Sequence, residues 1–157
     1  MLSELEKNEI GEVLAHALPG QDMSIDVLAI VQKHRGWISD EAVIDISACL
    51  GTTPSNVDSV ASFYNLIYRK PVGDHVILLC DSISCWVMGY PTIRGHIEKR
   101  LGITFGRTTA DNRFTLLPVA CLGACDLGPA MMIGETLFTK LDEEKIDHIL
   151  KEHGWQP

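Results

Sequence analysis

The chain has no long apolar run, no basic cluster and no phosphate-cradling glycine loop, and each absence removes a class of function. No stretch of its 157 residues approaches the roughly 18 consecutive apolar residues of a membrane span. The opening Met-Leu-Ser-Glu-Leu-Glu-Lys is acidic and lacks the basic segment and apolar core of a leader peptide. The chain therefore reads as soluble and cytoplasmic, or as cut from a longer precursor, with no direct membrane insertion. Thirteen Lys and Arg against 21 Asp and Glu give a formal net charge of −8. That balance argues against nucleic acid and anionic lipid, and for a protein or small-molecule partner. Neither the Rossmann nor the P-loop glycine pattern is present, so a nucleotide or flavin has to be supplied by a partner. Internal repeats and low-complexity segments are also missing.

What is present is a length sufficient for one ordinary domain or two small ones, and an apolar fraction of 46%, ample for a packed core. The first half shows helical spacing broken by stop signals. Leu5, Ile10, Val13, Leu14 and Ala17 precede Pro19-Gly20, and Ile25, Leu28, Ala29 and Val31 precede His34-Arg35-Gly36. Ser39-Asp40-Glu41-Ala42 reads as a cap with acid in the first turn of a third helix that ends at Gly51. Thr53-Pro54 opens a fourth, predicted to run towards Tyr68. The turn-rich Lys70-Pro71-Val72-Gly73-Asp74 then marks a boundary, dividing a helical bundle at 1–73 from a second domain at 74–157.

Beyond that boundary the pattern is strand (Val76 to Leu79), cysteine loop, helix (about 90–101) and strand (Phe114 to Val119). A second cysteine loop, two short strands about Gly134 and a last helix from Asp142 complete it. The class is α/β or α+β. Both loops carry a tight cysteine pair at a strand end: Cys80-Asp-Ser-Ile-Ser-Cys85 and Cys121-Leu-Gly-Ala-Cys125.

Two such pairs brought together present four thiolates around a small volume, which suits a [2Fe-2S] cluster with two cysteines on each iron. Structural zinc is the main competitor; its knuckles usually have two-residue spacings, so spacing favours the cluster and leaves zinc open. Disulfides fit poorly with five cysteines in a cytoplasmic chain, and a thioredoxin-type dithiol requires a Cys-x2-Cys that is missing. Gly123 and Gly128 allow the backbone to pass close to an inorganic core, and Pro129 stiffens the loop exit. Trp86 and Met88 are placed either to shield a cluster or to fill core. Cys49, in Ile44-Asp-Ile-Ser-Ala-Cys-Leu, reads as a small buried apolar residue. The six histidines are scattered without ligand spacing. No Lys or Arg occurs from Cys80 through Ile93 or from Phe114 through Thr139, while Asp81 and Asp126 each adjoin a cysteine. A thiolate-held cluster becomes more negative on reduction, so this charge pattern predicts a low reduction potential.

Taken with Thr108-Thr-Ala-Asp-Asn-Arg-Phe-Thr-Leu-Leu-Pro118, the extension of the second pair through Asp-Leu-Gly-Pro-Ala-Met-Met-Ile133 and the upstream Val60-Ala-Ser-Phe-Tyr64, the cysteine segments resemble the 24 kDa (E) subunit family of the respiratory NADH:quinone oxidoreductase, complex I. The resemblance covers nearly the whole chain. It implies a small helical bundle followed by a thioredoxin-like [2Fe-2S] ferredoxin domain, with Cys80, Cys85, Cys121 and Cys125 as cluster ligands. It also implies a flavoprotein partner carrying FMN and the NADH site, further iron–sulfur subunits, and a place in the peripheral arm on the cytoplasmic side of the inner membrane (the matrix side for a processed mitochondrial chain). The flavin's electrons would pass one at a time to a cluster off the main path, with no substrate chemistry on this chain. Related subunits of NAD-linked hydrogenases and formate dehydrogenases share the cysteine pattern. Phe63, Tyr64 and Tyr68 are a candidate docking surface, although Phe63 fits a packed bundle interior equally well.

Overall fold

A computed structural model describes residues 1–156. It divides into a helical unit, Met1–Pro71, and a mixed α/β unit that begins at Val72. The division falls two residues before the break read from the sequence. Gly73 belongs to the second unit because its N–H donates to the buried Thr115 hydroxyl at 2.6 Å. A Cβ at Gly73 would meet the Asn112 oxygen and Arg113 carbonyl carbon at 2.8 Å.

The helical unit contains α1 (Glu4–Ala15), α2 (Ser24–Arg35), α3 (Asp40–Leu50) and α4 (Pro54–Phe63). Ser3 and Glu6 form a reciprocal capping box on α1, and Ser39 and Thr53 cap α3 and α4 by accepting the Ala42 and Asn56 N–H groups. Gly36 stops α2 in the left-handed region, φ 79°. Ile10, Val27, Leu28, Val31, Ile38, Ile46, Val57 and Ala61 form its core. Each large apolar side chain removed from water in this way contributes about 1.5–3 kcal/mol.

α4 is shorter than its sequence suggests, ending at Phe63 rather than running towards Tyr68. The Gln32 side chain takes over the backbone beyond it. Its amide donates to the Leu66 carbonyl at 2.8 Å and its oxygen accepts the Tyr68 N–H at 2.6 Å. The Tyr68 carbonyl then accepts the Ile38 N–H at 2.7 Å.

The second unit contains β1 (His75–Cys80), α5 (Ile83–Val87), α6 (Tyr90–Leu101), β2 (Arg107–Thr108), β3 (Phe114–Val119), β4 (Met131–Ile133), β5 (Thr136–Phe138) and α7 (Glu143–Glu152). The sheet order is β2-β3-β1-β4-β5. Among the described residues only β1 and β3 run parallel, joined through α5 and α6; the other pairings are antiparallel, which makes the class α+β. Ile77, Leu79, Phe114, Leu116 and Met131 on the sheet pack with Ile93 and Ile97 of α6 and with Ile146, Ile149 and Leu150 of α7. Those helical residues recur at three- and four-residue intervals, the spacing that gives an apolar face. Pro118 is tolerated inside β3 because β2 reaches only Thr115 and Leu116 on its far side, so no partner there lacks a donor.

Two elements were not visible in the sequence. α5 is a single short helix inside what reads as a cysteine loop, and β2 is a two-residue edge strand, too short to show alternation.

Candidate metal centre

β1 delivers Cys80 to the buried end of its strand, and the chain turns at once into α5. Ser82 caps that helix: its hydroxyl oxygen accepts the Cys85 N–H at 3.4 Å. A helix this short has one inward position, and Cys85 takes it, 1% exposed. Ile83, Trp86 and Val87 point to solvent, as does Met88 at the C-cap. Trp86 and Met88 are therefore not core, being 54% and 44% exposed.

The second loop starts where β3 ends. In the parallel register Cys80 faces Val119, two residues ahead of Cys121. The Asp81 N–H donates to the Val119 carbonyl and the Cys80 N–H to the Ala130 carbonyl, both at 3.0 Å. Residues 119 and 130 are thus both bound beside the Cys80 end of β1, and the loop between them arches next to α5. Its Cys121 and Cys125 sulfurs lie 3.7 Å apart, unbonded and exposed. The Gly123 N–H donates to Cys121 Sγ at 3.3 Å from a φ of 79°, a conformation that a side chain would strain. Gly128 has a different reason to be glycine: a Cβ there would sit 3.3 Å from Cys85 Sγ and 3.1 Å from Met88 Sδ. The Gly128–Pro129 peptide bond is cis.

The electrostatics divide the first thiol pair. Burial acts to raise the Cys80 thiol, but the Ser82 hydroxyl and N–H and the Leu122 N–H outweigh it and hold the group below its ordinary value. Cys85 is pushed up by burial and then by the neighbouring Cys80. Cys125 is raised chiefly by Cys121, with Cys80 adding to it and the Ser84 hydroxyl opposing. Two thiolates packed together repel, and a metal cation between them reverses the preference, since coordination deprotonates a thiol outright. The segments 80–93 and 114–139 contain no Lys or Arg to play that part.

The donor set suits a thiophilic metal. Tetrahedral metal–thiolate bonds of about 2.3 Å place two sulfurs on one metal about 3.8 Å apart, and Cys121 and Cys125 already stand at 3.7 Å. The four thiols come as two pairs. Among the described residues no three His, Cys, Asp or Glu side chains are grouped closely enough to hold one ion.

Cys49 is exposed, contrary to the sequence reading. α3 turns Ala42, Val43, Ile46 and Ser47 inward, and Cys49 falls at the edge of that face, lining a cleft of about 530 Å³ with Met23, Leu50 and Val60. Ser82 and Ser84 are the site residues that sequence reasoning passed over. The signal for Ser82 was its place three residues before Cys85, the spacing of a helix cap.

A family model described as thioredoxin-like [2Fe-2S] ferredoxin matches residues 10–154. The NADH-quinone oxidoreductase E subunit of Pseudomonas aeruginosa is 49% identical over 135 residues, covering 86% of this chain and 81% of that protein. The protein of the same name from Escherichia coli K12 is 46% identical over 152 residues, covering 97% and 92%. Among solved structures, an NAD+-reducing [NiFe]-hydrogenase in the air-oxidised state superimposes with a TM-score of 0.70 at 25% identity over 80% of this chain. The match spans only 22% of that hydrogenase chain. No helix among the described residues is long and apolar enough to cross a membrane. On the family match and on identity across nearly its whole length, the chain belongs to the thioredoxin-like [2Fe-2S] ferredoxin family, with the NADH-quinone oxidoreductase E subunits.

Proposed function

We propose that Cys80, Cys85, Cys121 and Cys125 hold one [2Fe-2S] cluster, and that the chain is the one-electron carrier of an NADH:quinone oxidoreductase (complex I). The observation that carries this reading is the delivery of two thiol pairs to neighbouring ends of the parallel strands β1 and β3, one pair at the separation that a single tetrahedral metal requires. When bound, the cluster supplies reversible one-electron chemistry. The chain's own residues hold the two irons, keep Cys80 and Cys85 out of water, and present N–H and O–H groups to the sulfurs.

The electron is exchanged with FMN on a partner flavoprotein that oxidises NADH, because this chain has no nucleotide-binding motif of its own. Further iron–sulfur subunits complete the assembly, in the peripheral arm on the cytoplasmic side of the membrane. Two exposed apolar groups are suited to docking. One is Ile83, Trp86, Val87 and Met88, on and beside the helix that carries Cys85; the other is Phe63, Tyr64 and Leu66 in the helical unit. Phe63, 81% exposed and edge-on to Tyr64 at 5.2 Å, does not pack the bundle. A second reading, the equivalent subunit of an NAD-linked hydrogenase, draws its support from the hydrogenase superposition.

The test is electron exchange itself. Protein reduced with dithionite and freed of it is mixed anaerobically with the oxidised flavoprotein. The cluster's EPR signal is expected to fall as flavin absorbance bleaches, one electron per chain. A signal that persists beside oxidised flavin rules the partnership out.

A further inference from the structure

Ser82 stands between the two thiols of its pair. Its hydroxyl oxygen accepts the Cys85 N–H at 3.4 Å and lies 3.4 Å from Cys80 Sγ. A hydroxyl has one proton and two lone pairs. With one lone pair committed to the Cys85 N–H as the cap of α5, the proton remains free for another partner. In the free thiol the Cys80 S–H donates to Ser82 Oγ. Once Cys80 is a thiolate it can only accept, and the Ser82 O–H is the side-chain donor beside it. Cys80 is 2% exposed, so water offers no substitute.

We propose that Ser82 is a positioning residue of the redox centre: anchored by the Cys85 N–H, its hydroxyl donates to the Cys80 thiolate and raises the reduction potential. This rests on the assignment of Cys80 and Cys85 as cluster ligands. Reduction adds one negative charge, part of which spreads onto the thiolate sulfurs, so a donor aimed at a sulfur stabilises the reduced state more than the oxidised one. The effect matters here because the flanking segments carry no Lys or Arg, and hydrogen bonds are left as the means of offsetting the added charge. Ser82 shares the task with the Leu122 and Gly123 N–H groups but is the contributor a substitution can remove.

The experiment is an EPR-monitored redox titration of the loaded full chain as wild type, Ser82→Gly, Ser82→Ala and Ser82→Thr. Glycine is a tolerated N-cap, so Ser82→Gly removes the hydroxyl with little disturbance of α5. The midpoint is expected to fall in both hydroxyl-less variants, the reduction equilibrium weakening several-fold and up to about tenfold, which for one electron is about 59 mV. Ser82→Thr restores the hydroxyl and is expected to titrate with the wild type. A hydroxyl-less variant with the wild-type midpoint, or one that no longer holds its cluster, overturns the proposal by making Ser82 inert or purely structural. A wild-type chain with no two-iron signal is a separate outcome, defeating the cluster assignment before Ser82 is tested.

Discussion

Cys80 stands opposite Val119 in the parallel register of β1 and β3, and this one pairing decides where both cysteine loops emerge. Parallel strands point their carboxyl ends the same way, so the segments that follow them share one edge of the sheet. The return hydrogen bond from the Cys80 N–H to the Ala130 carbonyl closes the second loop beside the first. Neighbouring thiol pairs are thus a consequence of topology rather than of sequence proximity.

Gly128 tests the closeness of the loops. Its missing side chain leaves room that a Cβ would take at 3.3 Å from Cys85 Sγ. Gly128→Val is expected to lower iron per chain by more than half while leaving the far-ultraviolet circular dichroism nearly unchanged. Full iron loading in that variant would show that the approach of residue 128 to Cys85 is immaterial.

The redox midpoint follows from the charges. With no cation in 80–93 or 114–139 and with Asp81 and Asp126 exposed beside cysteines, the added electron is poorly offset. A potentiometric titration is expected to give a low, negative midpoint; a clearly positive one contradicts the electrostatic argument.

The helical unit has its own acid sensitivity. Glu6 is buried, and its carboxylate accepts from Arg35 at 2.6 and 2.8 Å and from the Ser3 N–H at 2.7 Å. The Arg35 guanidinium, against the opposing effect of burial, holds its carboxyl down to about 2. Because the folded group titrates below the unfolded one, this contribution is whole above about pH 4.5 and is lost as the pH falls towards 2. Arg35→Ala is expected to cost about 2–3 kcal/mol at neutral pH and to flatten the acid limb of stability, read by hydrogen exchange of α1 and α2 amides. An unchanged acid limb would remove Glu6 as its source.

Docking is open to a direct comparison. Trp86→Glu places a charge in the apolar group beside Cys85, and Phe63→Glu does so in the helical unit. If α5 seats the flavoprotein, Trp86→Glu weakens binding about tenfold or more, about 1.4 kcal/mol, with the cluster's EPR signal intact. Loss of binding with Phe63→Glu alone would move the interface to the helical unit.

Much of this was legible from the chain. Apolar spacing closed by stop signals announced α1 and α2, an N-cap announced α3, the segment after the first cysteine loop read as α6, and β1 and β3 stood out as apolar runs bounded by turns. The cysteine spacing singled out the candidate site before any geometry was known. Three features were hidden because their causes lie outside the local pattern. α4 stops at Phe63 because Gln32, more than 30 residues away, binds the backbone at Leu66 and Tyr68. α5 is a single turn fixed by one serine cap, too short for periodicity to appear. Cys49 and Trp86 are apolar residues whose exposure depends on which face of a helix is already taken, by Ile46 and its neighbours in one case and by Cys85 in the other.

The most direct measurement is iron and acid-labile sulfide on anaerobically purified protein, with EPR after dithionite reduction. About two irons and two sulfides per chain, with a [2Fe-2S] signal on reduction, are predicted. Stoichiometric zinc with no signal would contradict the account and make the four cysteines a structural clamp.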